Sequence, residues 1–191
     1  MLTRELQSVL LQGVKTTAAA PSESSLLAEE VTGLFDQMRN PLLRYLLSFG
    51  LTPHDGEEIV QEVFLALFRH LQRKGPRTNL RGWVFRVAHN LGLKRCNSNY
   101  AEAKLFAASE NENQDLQPDP DPNPEEHLMN RHRRKRLLAV VEALPEVDRR
   151  CLYLRAEGLR YREIVDVLGI SLGAVALSLE RSLARLRRAD G

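Results

Sequence analysis

Between Leu144 and Arg188, the residues with the clearest chemical use follow the Gly169-Ile170-Ser171 turn. One apolar run, Ile164, Val165 and Leu168, precedes the turn, and a second, Val175, Leu179, Leu183 and Leu186, follows it. That is helix-turn-helix spacing, a unit whose second helix is free to enter a DNA major groove. The second helix keeps its apolar stripe on one side and leaves Ala174, Leu177, Ser178 and Arg181 on another. Ser171 is placed to cap its start, and Gly158 and Gly169 fall where helices end and a left-handed residue is wanted. A plain three-helix bundle has the same apolar period; the glycines, the cap and the basic flanks favour the DNA-binding unit.

No constellation for bond-making chemistry accompanies it. The sequence has no glycine-rich phosphate loop, no HExxH and no serine or cysteine nucleophile beside a recognisable base, so an enzyme is not expected. His54, Asp55 and the acids after them open a helix, where carboxylates serve the positive end of the dipole; neither metal nor cofactor is expected. Cys96 and Cys151 have no CxxC or histidine partners, which suits a reducing compartment, and Cys151 lies on the apolar side of its helix. No apolar stretch approaches the roughly 20 residues that span a bilayer, and the first residues lack a signal-peptide core. The expected location is the cytoplasm, with no membrane partner.

Net charge is only +2, but its distribution is uneven. From Arg77 to Lys104 six bases face one acid, and from Arg131 onward fourteen face eight. Between Glu110 and Glu126 there are seven acids and no base. Two basic lobes around an acidic joint suit a protein that touches nucleic acid at two places.

Helices must hold these lobes. Leu34, Phe35, Met38, Leu42, Leu43, Tyr45, Leu46 and Leu47 recur at spacings of three and four, with Pro41 marking a kink or a helix start. Gly50 to Asp55 is a break. A helix from Gly56 to about Leu71 carries Ile59, Val60, Val63, Phe64, Leu67, Phe68 and Leu71 as one stripe. Another, from Leu80 to about Lys94, carries Trp83, Val84, Val87, Ala88 and Leu91. Residues 1–28 read as a variable N-terminal extension, 29–106 as a helical domain and 127–191 as the helix-turn-helix domain. Residues 107–126, acidic and proline-rich, read as a disordered linker too polar to offset its own chain entropy. The expected fold class is therefore all-α, with two small helical domains joined by that linker.

Three blocks carry a family likeness. DGEEIVQEVFLALFRHL, LRGWVFRVAHNLGLKR and ALPEVDRRCLYLRAEGLRYREIVDVLGISLGAVALSLERSLARLRR, in that order within roughly Leu34 to Arg188, resemble RNA polymerase sigma factors of the sigma-70 family, in the extracytoplasmic-function (ECF) subfamily. The resemblance implies that the first domain is sigma region 2, docking on core RNA polymerase and melting and reading the minus-ten element. It implies that the last domain is region 4, reading the minus-thirty-five element. Core polymerase, double-stranded promoter DNA, its melted non-template strand and an anti-sigma factor are the implied partners. At the polymerase the implied residues are Asp55, Glu58, Gln61 and Glu62, an acidic-polar ridge able to pair with basic side chains. At minus-ten they are Asn79, in the base-capturing loop Arg73 to Asn79, with Arg81, Trp83, Arg86, Asn90, Lys94 and Arg95. Trp83 and Phe85 are adjacent and point to different sides; Trp83 is expected in the core, and at least one of the two has to be. At minus-thirty-five they are Arg160, Tyr161, Arg162, Gly173, Ala174, Leu177 and Arg181, with Arg149 and Arg150 as further phosphate contacts.

The recognition helix departs from the family pattern. Polar and basic residues are usual where this chain has Ala174, Ala176, Leu177 and Ser178, and Glu180 replaces a position often basic or aromatic. Only Arg181 keeps the expected charge. Such a helix lacks the donors for bidentate base contacts, each worth about 1–3 kcal/mol of discrimination. The expectation is shape-based or methyl-contact recognition with weak upstream specificity, or an unusual promoter sequence. Two other functions stay open: a stand-alone helix-turn-helix regulator, and a sigma-like protein that holds polymerase or an anti-sigma partner with weakened promoter reading.

Overall fold

The structure, a computed structural model, describes residues 23–105 and 124–190, with side chains described for 25–101 and 131–190. Most of the expected N-terminal extension and of the linker therefore lies outside the described residues. The described residues form seven helices and no strand: α1 (Glu23–Leu47), α2 (Pro53–Gln72), α3 (Leu80–Leu105), α4 (Pro124–Glu142), α5 (Glu146–Ala156), α6 (Tyr161–Leu168) and α7 (Leu172–Asp190).

Helices α1, α2 and α3 pack as one body. Its core takes Leu42, Tyr45 and Leu46 from α1, Ile59, Val60, Val63 and Leu67 from α2, and Val84, Phe85 and Ala88 from α3. Removing each larger apolar side chain from water stabilises the body by about 1.5–3 kcal/mol. Thr52 caps α2 by accepting the Asp55 N–H at 3.1 Å, and Pro53 occupies its first turn, where no N–H is needed. Pro41 lies inside α1 rather than at its start. Helix α3 continues well past Lys94, because no glycine or proline stands between Gly92 and Pro118 to stop it. Its extension is tied back to the start of α2: Arg95 pairs with Asp55 and Glu58, and Asn99 donates to Asp55 at 3.4 Å.

Helices α5, α6 and α7 form the second body, with α4 laid along α7. Arg133 of α4 holds Asp190 at the end of α7, one bond being 2.6 Å. Gly169 ends α6 at φ +67°, and Ser171 accepts the Ala174 N–H at 3.2 Å, so the turn forms at the expected residues. The buried stripe of α7 differs from the expected one. Leu183 is 43% exposed, while Ser178 and Ser182 are buried beside Val175 and Leu179. Small serines let α5 approach closely, and Ser182 satisfies its hydroxyl on the Ser178 carbonyl at 2.7 Å.

The two bodies touch, with α3 along α6 and α1 against α5. Inside the first body, beside this seam, Tyr45 and His89 share a 2.8 Å hydrogen bond in a cluster with Phe49 and Phe85. Burial, with the nearby Arg150 charge, holds the His89 imidazole down at about 4, against an opposing pull from Glu146. The unfolded chain therefore binds this proton more readily than the folded one between about pH 6.5 and 4, and stability falls as pH falls through that window. Thermal unfolding followed across that range should show the midpoint dropping, and His89→Gln should flatten this part of the curve. An unchanged slope in the variant would exclude His89 as its cause.

Candidate nucleic-acid interface

The acidic ridge of α2 divides in two. Asp55 and Glu58 are engaged within the chain: Arg95 pairs with both, the Glu58 contact being 2.9 Å, and His54 reaches Glu58 at 3.3 Å. Burial works to raise the Asp55 carboxyl, but hydrogen bonds from Thr52 and Arg95, with the Arg95 charge and Asn99, hold it below the usual range. Gln61 and Glu62 instead face solvent, and beside them Leu65 is 50% exposed. Leu65 was not among the expected contacts. Its signal in the sequence is its place one step outside the Ile59–Leu71 stripe, on the Gln61 side.

The residues expected at minus-ten gather around α3 and the loop before it. Asn79 adopts φ +55° and caps α3, its side-chain oxygen accepting the Gly82 N–H at 3.1 Å. The loop is braced by Arg77 on Glu30 at 2.6 Å and by His70 on the Pro76 carbonyl at 3.0 Å. Phe85, not Trp83, is the core aromatic: it is fully buried, while Trp83 is only partly so and stacks on His70 with centroids 4.8 Å apart. The reason is registry, since Phe85 faces Tyr45 while Trp83 lies at the loop edge. Arg86, Asn90 and Lys94 are exposed. Arg95 is committed to the α2 acids, and Arg81 to the carbonyl of Glu157 in the second body.

In the second body, Arg160, Tyr161 and Arg162 lie exposed at the start of α6. The Arg160 N–H donates to Glu163 at 2.6 Å, and the Arg155 guanidinium lies 5.8 Å from the Tyr161 ring. Arg149 and Arg150 are not on this open face: both are half-buried, Arg149 donating to the Glu142 carbonyl at 3.1 Å and Arg150 lying over the Phe49 ring at 4.6 Å. On α7, Gly173 has open space around it, and Leu172 and Leu177 are about half exposed. Ser178, expected on the outward face, is buried against α5. Arg181 is tied to Asp148 at 2.8 Å. Burial pushes the Asp148 carboxyl upward, but hydrogen bonds from Arg181 and Ser178, with the charges of Arg181 and Arg185, hold it below the usual range. The one expected base-reading charge of α7 is thus occupied in stabilising a buried carboxylate.

Part of each residue set opens onto grooves between the bodies. Asn79 lines one groove with Arg160, Tyr161 and Arg162, and an adjoining groove with Trp83, Arg86 and Asp166. No helix of the described residues is long and apolar enough to cross a membrane.

The family model for sigma-70 region 2 matches residues 34–101, and that for sigma-70 region 4 matches residues 134–186. The chain is 32% identical over 171 residues to the ECF RNA polymerase sigma factor SigE of Mycolicibacterium smegmatis, an overlap of 89% of this chain and 62% of that protein's length. The fold resembles that of the sigma factor RpoE solved with the anti-sigma factor NepR from Bartonella quintana, with a TM-score of 0.66 at 15% identity over 84% of this chain and 96% of that one. It also resembles CnrH solved with the cytosolic domain of CnrY, with a TM-score of 0.53 at 22% identity over 87% of this chain and 95% of that one.

Arg181→Ala should leave Asp148 without its guanidinium and lower the melting temperature by several degrees at neutral pH. The difference should close in acid, where the carboxyl is protonated in either state. An unaltered melting temperature with a changed base preference on duplex DNA would instead make Arg181 a reader.

Proposed function

The chain belongs to the sigma-70 family, and from that premise we propose that it is a sigma factor of the extracytoplasmic-function type. It binds core RNA polymerase, recognises and melts promoter DNA and directs transcription initiation in the cytoplasm. It performs no catalysis itself, since bond formation belongs to the polymerase. The observation that carries the reading is the occurrence of regions 2 and 4 in family order on two helical bodies, each with basic side chains on an exposed helix face or start.

The roles divide by surface. Gln61, Glu62 and Leu65 on the free face of α2 meet the polymerase, an apolar anchor within a polar rim. Asn79, Trp83, Arg86, Asn90 and Lys94 meet the melted minus-ten strand. Arg160, Tyr161 and Arg162 hold phosphates near minus-thirty-five and place α7 against the duplex. Because two similar folds were solved with NepR and with CnrY, a protein that binds and restrains the chain is a further proposed partner. A second reading is favoured by one observation. With Arg181 engaged and Leu177 outward, α7 has few groups for base edges. On that reading the chain holds polymerase while reading the upstream element weakly.

Immobilised chain should retain core polymerase at modest salt, and Leu65→Asp should reduce retention about tenfold without lowering the melting temperature. Run-off transcription from a genomic fragment library should give discrete starts. No retention would end the proposal, while retention with no starts would support the second reading. Changing Arg160 and Arg162 together to Ala should weaken duplex binding alike on all sequences and flatten the salt dependence by about one to two units of log slope. A loss confined to particular sequences would contradict the phosphate role.

A further inference from the structure

We propose that α7 reads the upstream element through a thymine methyl group and a cytosine amino group, with Leu177 and Glu180 as the two readers. The inference rests on the sigma-factor reading and names the bases that its second body selects.

Helical geometry sets which side chains can reach a base. The buried stripe of α7 is Val175, Ser178, Leu179 and Ser182. At about 100° per residue, the line opposite runs through Gly173, Leu177 and Glu180, with Ala176 beside it. All four are exposed, Leu177 by 56%. A single exposed leucine is ordinary on a protein surface. This one stands midway along the outward line of the helix that follows the turn, where a recognition helix meets base edges. Gly173 has open space around it, so the turn before Leu177 does not hold a duplex away. Arg160 and Arg162, exposed at the start of α6, bring a phosphate backbone rather than an apolar protein surface to this side.

The side chains on that line carry no donor. Guanine offers only acceptors, N7 and O6, in the major groove, so its recognition needs a side-chain N–H or O–H. Arg181, the next residue, is held by Asp148 at 2.8 Å, and only 3% of the Asp148 side chain is exposed. Giving Arg181 to a base would strand a buried carboxylate, a larger loss than one base contact offsets. Glu180 is acceptor-only: the cytosine N4 amino group donates to it, while guanine O6 and thymine O4 repel it. Leu177 has no polar group, and the C5 methyl of thymine is the apolar feature of the groove. The two readers are separated by about 4.5 Å of helix rise, which matches roughly one to two base-pair steps of about 3.4 Å.

The test uses the full-length chain and a library of randomised DNA duplexes at one fixed, modest salt concentration. Selection should enrich a thymine and a cytosine one to two base pairs apart. Replacing that thymine by uracil, which removes only the methyl group, should weaken wild-type binding about fourfold. Leu177→Ala, checked by circular dichroism for folding, should bind the thymine and uracil duplexes alike. Glu180→Gln should exchange the preference for cytosine for one for adenine, whose N6 and N7 fit an amide. Equal binding of thymine and uracil by the wild type overturns the proposal. So does a selected guanine whose 7-deaza replacement weakens binding, or no enrichment at all, which would favour the weakly reading alternative. Retention of core polymerase is measured on the same proteins. A chain that shows the uracil effect without retaining polymerase refutes the sigma-factor reading alone, and one that retains polymerase without the uracil effect refutes the base assignment alone.

Discussion

Tyr45 and His89 can occupy the centre of this molecule only as a pair. A phenol or an imidazole left alone in an apolar interior forfeits its hydrogen bonds to water, a loss of about 1–3 kcal/mol for each unsatisfied group. Their shared bond removes that penalty and fixes α1 against α3, since each side chain comes from one of those helices. Phe49 and Phe85 pack their edges onto the pair. That cluster does not end at the border of its own body. Phe49 is covered by the guanidinium of Arg150 from α5, and the same charge contributes to keeping His89 neutral. The internal core of the first body is therefore finished by a side chain from the second.

The basic side chains take their roles from this packing. Arg39 pairs with Glu57, Arg95 bridges α2 and α3, Arg133 holds α7 to α4, and Arg181 neutralises Asp148. Each uses a charge that the sequence alone would assign to solvent or to nucleic acid. Those left exposed at element starts and free faces, such as Arg86, Lys94, Arg160 and Arg162, are the ones available to an external anion.

Periodicity made much of this legible. The α2 stripe and the α6–α7 turn follow from apolar spacing and from glycine and serine at the helix ends, which are local signals. Less local features were not. Whether Trp83 or Phe85 enters the core depends on the position of Tyr45, more than thirty residues away. The outward turn of Leu183 depends on how closely α5 approaches two serines of α7. The polar tail of α3 has little apolar period; its contacts with Asp55 and Glu58 hold it, and they are visible only after folding. The seam between the bodies left no mark that spacing could reveal, because Arg44 and Glu157 read as ordinary surface charges, and Arg81 and Arg150 as contacts to nucleic acid.

The seam combines modest attractions with identifiable costs. Ion pairs near solvent contribute about 0–1 kcal/mol each, and a cation over an aromatic ring about 0.5–2. Against these, Arg149 and Arg150 each keep a buried Nε–H with no partner. The two bodies belong to one chain, so their contact is intramolecular and requires little net attraction to form.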